Sequence, residues 1–388
     1  MRNTLKKLSI YPPIMMLSMY SAVLSYLIPQ IKEMFSMTYA QVSVISTMQS
    51  VGGLLAQVVC FGVFSALNKS RIILFSLIGA AVCLVLIGFN RVVFIMYALF
   101  LIRAFFGLSA NSLSNAMVVD IFPKRTEFFV GLYHALAAGA AIVGPYLALA
   151  LGNDFTLSFA ASGAIIAASA VVYWFGMKDE RAKPLVANRA NFGGIGKLIR
   201  IFKRKNMVLY LLISFFSGFV FHITILFMSS YTSEISGLAS DGAFALSMLL
   251  AGIFVGSLLY SFVAHRISTL KIIIVSNIIA LGLFIVMVFV GSPLMIGIFA
   301  ALGGLFIGPV MPGLFVQVVK VVPDDTGTGS AVLLFGMLLA GVLAPPIIGA
   351  IADAVGMRMA ILVSLVTFVP VIALAVVLYK RSRNAVSA

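Results

Sequence analysis

Apolar residues run along this chain in stretches too long for a soluble core, and polar residues gather in the short gaps between them. Bounded by charges, Gly, Pro or Asn, twelve stretches stand out. They lie at about 8–30, 41–66, 72–89, 92–119, 129–151, 155–177, 207–231, 242–264, 271–290, 294–321, 329–354 and 359–379. Each is close to or beyond the roughly twenty residues with which a helix crosses the hydrocarbon layer. The gaps are brief: Asn68-Lys69-Ser70-Arg71, Asn90-Arg91, Gly152-Asn153-Asp154, and Pro323 to Thr328. Asp154 and Asp241 each precede an apolar run, where an acidic side chain caps free amides and suits the helix dipole. The pattern predicts an all-α integral membrane protein with twelve transmembrane helices.

Composition narrows the function classes. Of 388 residues, 62% are apolar and 10% charged, against about a quarter charged in a soluble domain. Mean hydropathy is +1.16. A soluble enzyme, a disordered regulator and a secreted disulfide scaffold are excluded. Cys60 and Cys83 both fall inside apolar runs, so no disulfide framework is expected. The first run begins near Leu8 without a small-residue cleavage site and reads as a retained helix.

The net charge of +15 resides in loops rather than in a folded basic domain, so no nucleic-acid partner is expected. Nine of the 26 Lys and Arg residues lie between Lys178 and Lys205, and others at Arg2, Lys6, Lys7, Lys380, Arg381 and Arg383. With the N-terminus inside, the inner segments hold 22 cationic residues and the outer loops three, Lys32, Arg91 and Arg358. That asymmetry places both termini in the cytoplasm, in an inner or plasma membrane.

A repeat is visible at an offset of 200: Phe122-Pro123 matches Val322-Pro323, Gly144-Pro145 matches Ala344-Pro345, and Gly52 matches Gly252. The expected organisation is a six-helix half over 1–177, a basic cytoplasmic linker over 178–206, and a second six-helix half with a short basic tail over 207–388. In the linker, Ile195, Leu198, Ile199 and Phe202 are spaced for one helical side. Two duplicated halves are the layout of a rocking transporter, with its site between them near the midplane.

With these features the sequence resembles the major facilitator superfamily over essentially its whole length. The stretch from Gly62 to Arg71 occupies the place of the family loop G-x-L-x-D-R-x-G-R-R. Gly62 and Arg71 match it, while the family Asp falls on Ala66 and its first Arg on Leu67. Arg103-x-x-x-Gly107 resembles the fourth-helix motif of an intramembrane Arg followed by a small residue. Gly131-x7-Gly139-x4-Gly144-Pro145 resembles the glycine-rich motif associated with antiporters, one residue off in spacing. The segment from Gly349 through Asp353 to Gly356 has the look of the family's eleventh-helix end. Within the superfamily, Asn111 through Asp120, Phe122-Pro123, Tyr133-His134 and Gly144-Pro145 resemble the fucose–proton symporter family, which places carboxylates in its first and fourth helices; this chain has none there. The resemblance implies two rigid halves rocking about a cavity lined by helices 1, 4, 7 and 10.

Among candidate functional residues, Arg103 stands out, because a charge at mid-membrane costs about 2.5–3.5 kcal/mol or more. It lies about eleven residues into its span, with Gly107, Asn111 and Asn115 following at four-residue steps on one face. Its fork suits a carboxylate or phosphate; the competing reading ties it to backbone carbonyls or inner water. All eleven acids lie in loops or at helix ends. His134 and His222 are the candidates for proton coupling, with a neutral ring bonded to a carbonyl as the alternative for each; His265 reads as a solvated loop residue. Tyr26, Gln49 and Gln317 complete the substrate-binding set with Arg103, Asn111, Asn115 and His222. Gly62, Arg71, Gly107, Gly131, Gly139, Gly144, Pro145, Asp120, Lys320 and Asp353 are the gating or structural candidates.

The expected function is secondary transport of a small polar or anionic metabolite, a carboxylate or a sugar-like molecule, by alternating access. A proton is the candidate coupling ion. The protein is expected to be no enzyme, with neither cofactor nor metal, and to work as a monomer whose partners are its solute and the bilayer. Two other readings stay open: a multidrug or metabolite efflux antiporter, and a membrane sensor or structural protein that moves nothing.

Overall fold

The computed structural model describes residues 8–62, 68–122, 126–182, 204, 206–263, 266–322 and 326–384. Ala66, Leu67, Pro123, His265, Pro323 and the linker positions Ile195, Leu198, Ile199 and Phe202 lie outside these. Among the described residues, twelve helices are long and apolar enough to cross a membrane. The protein is all-helical in them.

After a short 3-10 turn at Leu8–Ile10, the first six spans are α1 (Tyr11–Met34), α2 (Tyr39–Gly62), α3 (Lys69–Phe89), α4 (Val93–Ile121), α5 (Thr126–Ala150) and α6 (Phe155–Gly176). A short α7 (Lys178–Ala182) follows. Then come α8 (Met207–Ser236), α9 (Ala239–Val263) and α10 (Thr269–Phe289). The tenth span is divided into α11 (Pro293–Ile307) and α12 (Val310–Val321); α13 (Thr326–Val355) is the eleventh, and the twelfth is divided into α14 (Met357–Leu365) and α15 (Phe368–Asn384). The two divisions were not legible in the apolar pattern.

Local chemistry explains the ends. Asp154 caps α6 by accepting from Leu157 N at 2.7 Å, as its position before an apolar run predicts. Asn68 does the same for α3 through Arg71 N. Asp241 sits inside the first turn of α9, where it favours the dipole. Gly237, at φ 73°, ends α8 in the left-handed conformation that glycine adopts without steric cost. The tenth span parts at Gly308-Pro309, where proline offers no N–H to continue the ladder. In the twelfth, Thr367 Oγ1 donates to the Ser364 carbonyl at 2.7 Å, a side chain competing with the helix for its own acceptor.

The chain falls into two compact units: Met1–Ser36 with Val44–Ile195, and Met37–Ser43 with Gly196–Ala388. In the first, α1 packs on α5 and α6, and α3 on α4 and α6. In the second, α8 packs on α13 and α9, α10 on α11 and α15, and α9 on α11. The 200-residue offset reappears as geometry: a Cβ on Gly52 would strike the Leu101 carbonyl, and one on Gly252 the Ala301 carbonyl. Gly256, Gly304 and Gly308 extend that second seam between α9 and α11, the small-residue packing with which helices approach in lipid.

Side-chain placement is that of a membrane protein. Large apolar groups such as Phe94 and Phe175 are 83% and 72% exposed. Many serines are buried, several satisfied by the carbonyl one turn back, as Ser162 is by Ser158 O. Cys60 and Cys83 are buried free thiols.

Candidate functional site

In the first unit the site begins with Arg103 on α4, which is 5% exposed. Its guanidinium carbon sits 3.8 Å from the centre of the Tyr20 ring on α1. One of its terminal nitrogens donates to Gln49 Oε1 on α2 at 3.2 Å. Gly107, one turn on, faces the fork, and a Cβ there would stand in ordinary contact with the guanidinium at 3.5 Å. Arg103 Nε and the Tyr20 hydroxyl are buried without a protein partner. Among the described residues no carboxylate lies within ion-pair distance of this arginine; the salt bridge in that set is Lys69–Asp120, at 2.7 Å. A desolvated cation over an aromatic face gains about 2 kcal/mol, and a hydrogen bond to a charged group about 1.5–3. These offset the cost of burying a guanidinium without neutralising it.

One to three turns along α4, a second polar group forms. Tyr133 donates to Asn111 Oδ1 at 3.0 Å, and Gln57 to Ser112 Oγ at 2.7 Å. Asn115 is half-buried and His134, beside Tyr133, is exposed. At the end of α4, Asp120 accepts from Lys69. Arg71 Nε donates to the Arg181 carbonyl on α7, which ties α3 to the start of the central segment. Gly62 closes α2. Gly131 and Gly139 lie along α5, followed by Pro145 within the same helix. Gly144 packs directly on the Met19 carbonyl of α1.

Tyr26, on α1, is fully buried, and its hydroxyl donates to Asn153 Oδ1 at 2.7 Å in the α5–α6 turn.

In the second unit, His222 on α8 is half-buried beside the Met337 backbone of α13, with Nε2 buried and unpartnered. Gln317 is half-buried on α12; the side chain of Lys320, in the same helix, lies outside the described set. Asp353, near the end of α13, accepts from two backbone amides at the start of α2, Tyr39 N at 2.7 Å and Ala40 N at 2.8 Å. Glu234 on α8 accepts from the Tyr39 hydroxyl. These contacts are why Met37–Ser43 folds with the second unit while the rest of its helix belongs to the first.

Sequence reasoning brought Arg103, Gly107 and Gln49 forward, and the structure gathers them. It missed Tyr20, whose sequence signal is shared by every aromatic in an apolar run, and the Lys69–Asp120 pair, whose members stand 51 positions apart.

Comparison with known proteins places these features in context. A family profile described as Major Facilitator Superfamily matches residues 14–276 and 239–387. No curated protein matches the chain by sequence. Among solved structures, a bacterial homolog of the human lysosomal transporter Spinster, inward-facing and occupied, superposes with a TM-score of 0.78 at 16% identity, covering 96% of each chain. The nucleoside transporter NupG gives 0.72 at 11% identity, covering 97% of this chain and 99% of its own. A single-residue variant of the E. coli fucose:proton symporter FucP gives 0.65 at 16%, covering 97% and 98%. At these identities the likeness is one of fold.

Proposed function

The chain belongs to the major facilitator superfamily, and from that premise we propose that it is a secondary transporter of a small polar or anionic metabolite. The class includes carboxylates and sugar-like molecules. The transporter works by alternating access, as a monomer in an inner or plasma membrane, with both termini in the cytoplasm. The observation that carries the reading is Arg103: a buried guanidinium whose described partners are a neutral amide oxygen and a ring face. An arriving carboxylate supplies the missing charge and can accept two parallel hydrogen bonds from the fork. To reach it, the solute has to move the Tyr20 ring aside, so occupancy and side-chain rearrangement are one event. A ligand shifts a two-state equilibrium only by its differential affinity, and this exchange of partners supplies such a difference.

Asn111 and Asn115 on the same helix are the proposed polar contacts for the remainder of the solute; Gln317 and His222 are the second unit's own proposed solute-binding residues. His222 and His134 are the proposed proton carriers. The printed names of NupG and FucP, a nucleoside transporter and a fucose:proton symporter, support inclusion of sugar-like solutes in the search. The test begins with thermal-shift screening of purified protein against carboxylates, sugars and nucleosides, since a ligand that binds the folded state stabilises it by mass action. Uptake of the hit is then measured in proteoliposomes. Arg103→Gln is expected to abolish uptake while the purified variant still unfolds cooperatively; full uptake by that variant overturns the assignment.

A further inference from the structure

In the second unit, a small cavity of about 20 Å³ lies among Ser217, Phe221, Asn277, Ile307, Met311 and Phe368, with Val220 and Val310 completing its wall. Its position in the repeat gives it meaning. Subtracting 200 turns Ser217, Val220 and Ile307 into Leu17, Tyr20 and Gly107. In the first unit Tyr20 carries the Arg103 guanidinium on its ring, and Gly107 faces both that guanidinium and Leu17. The counterpart of Arg103 is Gly303, where even a Cβ would stand 2.7 Å from the Phe284 ring. The second unit therefore sets a small chamber where the first sets a cation.

The chamber has polar equipment of its own. Ser217 Oγ is sealed from solvent and has no protein partner. Asn277, 2% exposed, donates its amide nitrogen to the Ile273 carbonyl at 2.7 Å, which leaves its side-chain oxygen as an acceptor. The wall also includes Ile307 and Val310, the residues flanking the Gly308-Pro309 division of the tenth span, and Phe368, the first residue of α15.

We propose that this chamber is a binding site for a single water molecule, which accepts from Ser217 and donates to Asn277 and so joins α8 to α10 beside both divided spans. The size agrees with one water, which needs about 10–15 Å³ by the same measure and two to four polar partners. A dehydrated metal cation asks for about six oxygen ligands, and the two side-chain oxygens here fall short of that.

The sign of a stability change tests the proposal in the purified full chain. With water bound, Ser217→Ala and Ser217→Val both strand the water or the Asn277 oxygen and lower Tm, by about 2 °C for one lost bridge. In a dry chamber Ser217→Ala removes an unmatched hydroxyl and Ser217→Val fills space, so an unchanged or raised Tm in both overturns the proposal. Replacing choline chloride by sodium chloride at constant ionic strength is expected to leave the wild-type Tm unchanged. A sodium-dependent rise that Ser217→Ala abolishes would instead identify a cation site and also overturn it. A high-resolution density map is the independent measurement: a spherical peak about 2.8 Å from Ser217 Oγ is expected, and a featureless chamber is the contrary result.

Discussion

Removing the Asp353 carboxylate should free the first turn of α2, and the structure sets the size of the effect. A helix start leaves its first amides without intrahelical acceptors. Here Asp353 serves two of them, Tyr39 N and Ala40 N, at 2.7 and 2.8 Å. Each satisfied helix-start amide contributes about 0.5–2 kcal/mol, and Asp353 is exposed, so the lower part of that range applies. Asp353→Ala therefore costs the docked segment about 1–2 kcal/mol, equivalent to a rise of about 5- to 30-fold in the open population. Asp353→Asn keeps one acceptor oxygen but turns an amide group toward the second N–H, so an intermediate change follows. Hydrogen exchange across residues 37–45 reads this directly, because local opening governs exchange of those amides. The expected order of rates is wild type, then Asn, then Ala, with peptides from the middle of α8 unchanged. Unaltered exchange in Asp353→Ala would refute the capping argument, since Asp353 is the acceptor that serves both amides among the described residues.

Two further outcomes follow from packing and bonding elsewhere. Gly52→Ala and Gly252→Ala each drive a methyl group into a backbone carbonyl of the facing helix, Leu101 and Ala301; overpacking of this kind costs about 1–3 kcal/mol, and both variants should unfold at lower temperature in detergent, while Gly282→Ala, where a Cβ meets open space, should not. Tyr26→Phe removes the hydrogen bond to Asn153, which holds a left-handed turn residue at φ 60°; a loss of about 1 kcal/mol in stability is expected from a structural role, whereas a selective loss of solute binding would assign Tyr26 to the substrate site.

Much of the architecture was legible because the bilayer imposes so simple a rule. Every crossing segment must satisfy its own backbone and face lipid with apolar groups, so the twelve runs and the gaps at Asn68, Asn90 and Asp154 announced themselves. Arg103 was equally legible, as an isolated charge within such a run. Its surroundings were not. Nothing in sequence separates Tyr20, which carries the guanidinium, from Tyr26, which bonds to a loop; both occupy apolar positions six residues apart, and the difference lies in which neighbouring helix each meets. The divisions at Gly308-Pro309 and Val366-Thr367 escaped for another reason: Pro29 and Pro145 lie inside unbroken helices, so proline alone does not locate a break. The same limit applies to Asp353. Its place near a span end made it a gating or structural candidate, but its partners, 314 and 313 positions away, could not be read from that place.

The contrast between α4 and its repeat has a consequence for the surrounding lipid. α4 is one piece of 29 residues, about 43 Å at 1.5 Å per residue, whereas its counterpart is split into pieces of 15 and 12. Against a thinner bilayer the unbroken rod tilts or thickens the lipid around it, while the jointed one can also bend. Hydrophobic mismatch costs fractions of a kcal/mol per ångström, and the two halves will absorb it differently. Acyl-chain length thereby becomes a handle on the second half that leaves the first comparatively stiff.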